Sequence, residues 1–172
     1  MAARLSAAWF LLVAGLLSSC VSKPISPEEA LAELIEDAVR GRVPEGQYQN
    51  VTPTDEAAAA RFIYVEEWLD VNGEAVVGVV PMVPSAEGVF RFTHTRDGRI
   101  TYLIAYGWPG PQVRTKALRP VAGSVVTMLG WPDILPAAQL GDAFVITTPR
   151  EMADEENHPC KQAFVFKIES PH

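Results

Sequence analysis

Apolar positions recur with a period near 3.6 in two early stretches of the chain and with a period of 2 through most of the remainder. In the first stretch Leu31, Leu34, Ile35 and Ala38 share one helical face, with Glu33, Glu36, Asp37 and Arg40 opposite. Ser26-Pro27-Glu28-Glu29 ahead of it is a capping box with proline at the first helical position, and Gly41 ends the helix. In the second stretch Ala58, Phe62, Val65 and Leu69 form the stripe, Trp68 lies beside it, Thr54 is a ready cap, and Asn72-Gly73 stops the helix. Between the two, a short strand around Tyr48–Val51 is the one further element suggested. From Glu74 the alternation takes over. Phe90–His94 and Ile100–Ile104 flank Arg96-Asp97-Gly98-Arg99, and an Asp-Gly turn between alternating runs is a strong hairpin signal. Further strands are expected at Val76–Val80, Val113–Leu118, Ser124–Leu129, Ala143–Thr147 and Ala163–Ile168, with Gly- and Pro-rich breaks between them. Met152–His158 reads as a polar, acidic loop. The pattern predicts a mainly β protein: an antiparallel β-sandwich of about seven strands preceded by two amphipathic helices. Both helical stripes must be buried, either by folding back onto one face of the sandwich, which is the favoured solution, or against a second chain.

The first twenty residues obey a different logic. Arg4 precedes an apolar run from Ala7 to Leu17, too short to span a bilayer as a permanent helix. It ends in Leu17-Ser18-Ser19-Cys20, which resembles a bacterial lipobox. That resemblance implies cleavage before Cys20, diacylglycerol on its thiol and acylation of its amine. Val21 next to it, rather than Asp, favours the outer membrane. The expected organisation is a signal peptide over 1–19, a lipidated tether over 20–26, a helical segment over 27–73 and a sandwich over 74–172. This reading implies membrane attachment through the lipid anchor, in a bacterial cell envelope and facing the periplasm. Acyl chains buried at roughly 0.8 kcal/mol per CH₂ hold such a protein in place.

Composition narrows the chemistry. The 172 residues carry 14 Lys+Arg against 21 Asp+Glu, a formal charge of −7, which argues against nucleic-acid binding. Two cysteines cannot form a disulfide scaffold, and with Cys20 acylated Cys160 is left as a lone thiol, expected to be buried and unreactive. His94, His158 and His172 are too scattered for a metal cluster, so neither metal nor cofactor is expected. His94, beside the hairpin turn, reads as a solvated strand residue. No nucleophile elbow or phosphate loop is present in the sequence.

From Trp68 onward a recognisable series appears. Glu67-Trp68-Leu69-Asp70-Val71-Asn72-Gly73-Glu74-Ala75-Val76 resembles the WLxVNGEA signature of α-L-fucosidases of glycoside hydrolase family 29. Phe90-Arg91-Phe92-Thr93, Asp97-Gly98, Tyr102 and Gly107-Trp108-Pro109 resemble that family's next hairpin. Val125–Gly130, Phe144–Pro149 and Pro159-Cys160-Lys161-Gln162-Ala163 through Ile168 come next, in the family's order. Upstream, Leu34–Arg40 and Asn50-Val51-Thr52-Pro53-Thr54 are similar to the end of its (β/α)₈ barrel. The resemblance implies a fucosidase-type C-terminal sandwich. The family's nucleophilic Asp and its acid/base carboxylate precede the part resembled, so no catalytic residue is carried over.

A retaining glycosidase needs two carboxylates about 5–5.5 Å apart across a pocket. The acids here fall on helix polar faces or in the loop Asp154-Glu155-Glu156, and Glu66 with Asp70 at i, i+4 reads as a solvated helix face. Trp108 and Trp131 each precede a proline, and Tyr106 lies at a strand end. Sugars stack on aromatic faces, so these three are the candidate contacts for a glycan or a partner, against the alternative that the rings close the ends of the core. Two functions remain: a membrane-anchored, non-catalytic module that binds a glycan or a partner protein, and an accessory chain that completes a fucosidase with a separate barrel.

Overall fold

The computed structural model describes residues 25–43 and 55–171. Ser26 opens helix α1 (Pro27–Ala38) with a complete capping box: Glu29 N donates to Ser26 Oγ at 3.1 Å and Ser26 N donates to Glu29 Oε2 at 2.7 Å. All four expected stripe residues of α1 are buried. Helix α2 (Glu56–Asn72) is capped by Asp55 and not by Thr54; the Asp55 side chain accepts from Ala58 N at 2.7 Å. Its stripe is also different from the one expected. Ala58 is buried, but Phe62, Val65 and Leu69 are only half-buried, and the deep positions are Trp68 and Asn72. The helix is rolled so that the large indole makes the deep contact, while Val65 and Leu69 pack at the margin of the same cluster.

The described residues continue with eight strands, while the strand expected around Tyr48–Val51 lies outside them: β1 (Val80–Glu87), β2 (Phe90–His94), β3 (Ile100–Tyr106), β4 (Gln112–Thr115), β5 (Val125–Met128), β6 (Ala137–Leu140), β7 (Ala143–Thr147) and β8 (Ala163–Glu169). They form a five-stranded sheet in the order β1-β2-β3-β8-β5 and a three-stranded sheet in the order β4-β7-β6, antiparallel throughout. The expected strand Val76–Val80 is instead a turn: Gly73–Ala75 is a 3₁₀ turn, and Val77 N donates to Gly73 O at 2.9 Å. Extended pairing starts only at Val80, beyond Gly78 with its φ of 70°. β1 then runs through Pro81 and Pro84, which an edge strand tolerates because their missing N–H groups cost no ladder bond. The loop Met152–His158 is two 3₁₀ turns, Arg150–Ala153 and Glu155–Asn157, with Met152 buried beneath them.

Three layers result. Phe92, Leu103, Ala105, Phe164 and Phe166 point from the large sheet toward Val113, Phe144 and Ile146 of the small one. The alternate residues Tyr102, Ile104 and Val165 point the other way and pack with Leu31, Leu34 and Ile35 of α1 and Trp68 of α2. Central strands β3 and β8 are thus apolar on both faces, as strands covered on both sides must be. The helices fold back onto the sheet.

Candidate functional site

The three aromatic candidates do not form one surface. Tyr106 packs with the cluster on the helix side of the large sheet, and Trp108 and Trp131 with the cluster between the sheets. The Tyr106 ring lies under the Arg91 guanidinium at 5.1 Å, and its hydroxyl donates to Ala32 O at 3.4 Å and approaches Glu36 Oε1 at 3.5 Å. Burial, with the Glu36 charge second, pushes its pKa up to about 12. Arg91 also pairs with Glu36, so Tyr106 belongs to the clamp that seats α1 on β2 and β3. Trp108 is half-buried, with its ring centroid 4.6 Å from that of His158 and 5.1 Å edge-on from Phe164. Trp131 is half-buried against the same core. Cys20 lies outside the described residues.

The motif residues singled out in the sequence do meet. Trp68 Nε1 donates to Ala163 O at 2.8 Å, and the Cys160 thiol donates to the same carbonyl at 3.1 Å. Asn72 Nδ2 donates to Trp68 O at 3.2 Å. Burial pushes the Cys160 thiol up to about 11 against the opposing pull of Asn72 and the Ala163 backbone, so at neutral pH it is an inert SH group. Gly130 closes the joint: a Cβ there would stand 2.5 Å from Pro159 Cβ and 2.8 Å from Val71 Cγ1. The WLDVNG and PCKQA segments are therefore the two halves of a buried fastening between α2 and β8.

Beside this joint lies a groove of about 200 Å³. Helix α2 contributes Tyr64, Glu67 and Trp68, and the segment leading into β8 contributes His158, Pro159, Cys160, Lys161 and Gln162. The Tyr64 hydroxyl is buried without a well-formed hydrogen bond, with the Gln162 side chain beside it. Its pKa is raised by burial, then by the Glu28 charge. His158 Nε2 donates to Met152 O at 2.9 Å, which holds the imidazole in place in the wall of the groove. Sequence reasoning missed this groove, because its walls come from segments far apart in the chain and His158 drew notice only as one of three scattered histidines.

No family model matches the chain, and no curated protein matches it in sequence. Solved structures do match. Over 86% of this chain and 35% of the other, it superposes on the α-fucosidase of Thermotoga maritima with a TM-score of 0.65 and 18% identity. α-L-Fucosidase isoenzyme 1 of Paenibacillus thiaminolyticus gives 0.58 and 13%, over 87% and 35%. The GH29 α-L-fucosidase of Bacteroides thetaiotaomicron gives 0.57 and 12%, over 87% and 33%. The fold is that of the C-terminal region of a family 29 α-L-fucosidase. The chain spans about a third of the length of those fucosidases, and at such identities the likeness is one of architecture.

Within this fucosidase-type sandwich, many carboxylates of the described residues already have structural work. Glu29 and Asp55 cap helices. Glu36 pairs with Arg40 and Arg91, Asp37 with Arg42, Glu74 with Lys167 and Asp142 with Lys116. Asp97 accepts from Thr95 Oγ1 at 2.6 Å and from Arg99 N at 3.1 Å inside the β2–β3 turn. Glu87 binds the turn after β4.

Proposed function

We propose that this protein is a membrane-anchored, non-catalytic sandwich module, built on the C-terminal fold of an α-L-fucosidase, whose task is to bind a glycan. The observation that carries the reading is the match of fold to the C-terminal third of fucosidase chains, in a unit whose two sheets and two helices close their own cores. Glu36, Asp37, Glu74, Glu87, Asp97 and Asp142 are engaged in ion pairs and turns, and a retaining glycosidase needs two free carboxylates about 5–5.5 Å apart across a pocket, so the binding reading asks less of the remaining acids. Anchoring rests on Cys20 behind its short apolar run, and puts the module at the outer membrane facing the periplasm. A second reading, an accessory chain docked on a separate catalytic barrel, has one observation in its favour: α2 leaves Ile63 53% exposed beside the half-buried Phe62.

The full chain in detergent micelles, applied to a glycan array and assayed on aryl α-L-fucosides, tests both. The expected result is selective retention by a subset of glycans with no hydrolysis. Turnover that tracks with this chain through purification overturns the non-catalytic reading. Absence of glycan binding, together with co-purification of a fucosidase barrel, replaces the first reading by the second.

A further inference from the structure

We infer that the groove between α2 and the segment 158–162 is a subsite for one neutral sugar ring, the terminal residue of the glycan; this rests on the glycan-binding reading above. Three observations converge on it. The first is size: at about 200 Å³ the groove lies below the roughly 300–1,000 Å³ of pockets for larger ligands, and it suits one ring and not an extended oligosaccharide. The second is charge. Glu67 and Lys161 both line the groove, and among the described residues neither takes part in an ion pair or a side-chain hydrogen bond. Two unpaired, opposite charges on the walls of one small groove favour a ligand that is neutral overall and carries both donors and acceptors. Hydroxyl groups do both: they donate to the Glu67 carboxylate and accept from the Lys161 ammonium and the Gln162 amide. The third is rigidity. The segment carrying His158, Pro159, Lys161 and Gln162 is pinned by the Cys160 and Trp68 bonds to Ala163 O and by Gly107 N donating to Gln162 O at 2.6 Å. Little ordering remains to be done on binding. Pro159 supplies an apolar surface for the C–H face of the ring.

Saturation-transfer NMR on the full chain in micelles, with L-fucose, D-galactose and N-acetyl-D-glucosamine as probes and glycine as a zwitterionic control, tests the assignment. One or more of the sugars should receive saturation, with millimolar dissociation. Glu67→Gln and Lys161→Ala, both at exposed positions, should each weaken that binding by about tenfold, the loss of one charge-assisted hydrogen bond. The exposed Glu155→Gln should leave it unchanged. Unaltered melting temperatures show that the variants fold. Sugar binding indifferent to both groove variants overturns the subsite and leaves the glycan reading standing. Saturation of glycine but of no sugar overturns the neutral-ring assignment. Silence here together with an empty glycan array overturns both.

Discussion

At the end of β1, Glu87 reaches from the five-stranded sheet to the turn after β4 in the other sheet. Its carboxylate accepts from Thr115 Oγ1, from Lys116 N at 3.0 Å and from Ala117 N at 3.1 Å. Desolvation works to raise its pKa, but the three donors and the nearby Lys116 charge outweigh it and hold the group below the ordinary value of 4.5. A carboxylate lowered in the folded state contributes stability that is present above the unfolded pKa and lost as pH falls through the folded one. Glu87→Gln should therefore cost about 1 kcal/mol at neutral pH, given partial solvent screening, and almost nothing in acid. Urea unfolding at a series of pH values reads this out: the difference between the two proteins should shrink as pH drops below 4.5. A difference constant with pH would mean that the carboxylate charge is irrelevant to the bond. None of this was visible in the sequence. Glu87 sits between Ala86 and Gly88 in a stretch without a recognisable motif, and its partners lie 28 to 30 positions away.

Among the elements, α1 and the β2–β3 hairpin were legible, because Ser26, Glu29, Asp97 and Gly98 encode their geometry within a few residues. β1 and β6 were not. Pro81 and Pro84 read as strand breakers unless the strand is known to lie at an edge, and edge position is a property of the sheet. β6 is exposed at all four residues, so it has no buried face to impose alternation. The roll of α2 was hidden for a similar reason: the position of Ala163 O decides which face of the helix turns inward. The seam where α2, β5 and the segment before β8 meet is tight at Gly130, whose φ is 78°. Gly130→Ala should thus cost about 2–4 kcal/mol, from the left-handed backbone and the clash with Pro159 and Val71 together. Gly107→Ala, at φ 74° with open space around it, bears only the backbone cost of about 1–2 kcal/mol. Thermal melts should rank the two in that order. Equal shifts would show that the seam yields.

On the scale of the molecule, the helices are the third layer that makes the large sheet soluble. Tyr102, Ile104 and Val165 are covered by α1 and Trp68, and without them a face of aromatic and aliphatic side chains meets water. Deleting residues 21–73 is expected to give an aggregating sandwich, whereas Ile35→Ala alone, at a position with no exposed surface, should cost about 2–5 kcal/mol and leave the chain folded. Size-exclusion chromatography and denaturant melts distinguish the outcomes; a soluble, stable deletion would show that the helices are dispensable to the fold. The architecture was legible at this scale because periodicity and the fucosidase-like segments agree. The groove was not, since Trp68 and Ala163 are 95 positions apart and only the finished fold brings their neighbourhoods together.

In the large sheet β8, the latest strand in the sequence, lies between β3 and β5 and bonds to both. Translation proceeds at about 5–20 residues per second from the opposite end. A ribosome that has already released β1, β2 and β3 still holds back the strand they wait for, and with it the carbonyl that Trp68 needs. Until Ala163–Glu169 emerges, β3 has an open edge and β5 has no neighbour in the large sheet. Among the described strands, β8 is therefore the one on which closure of the large sheet waits.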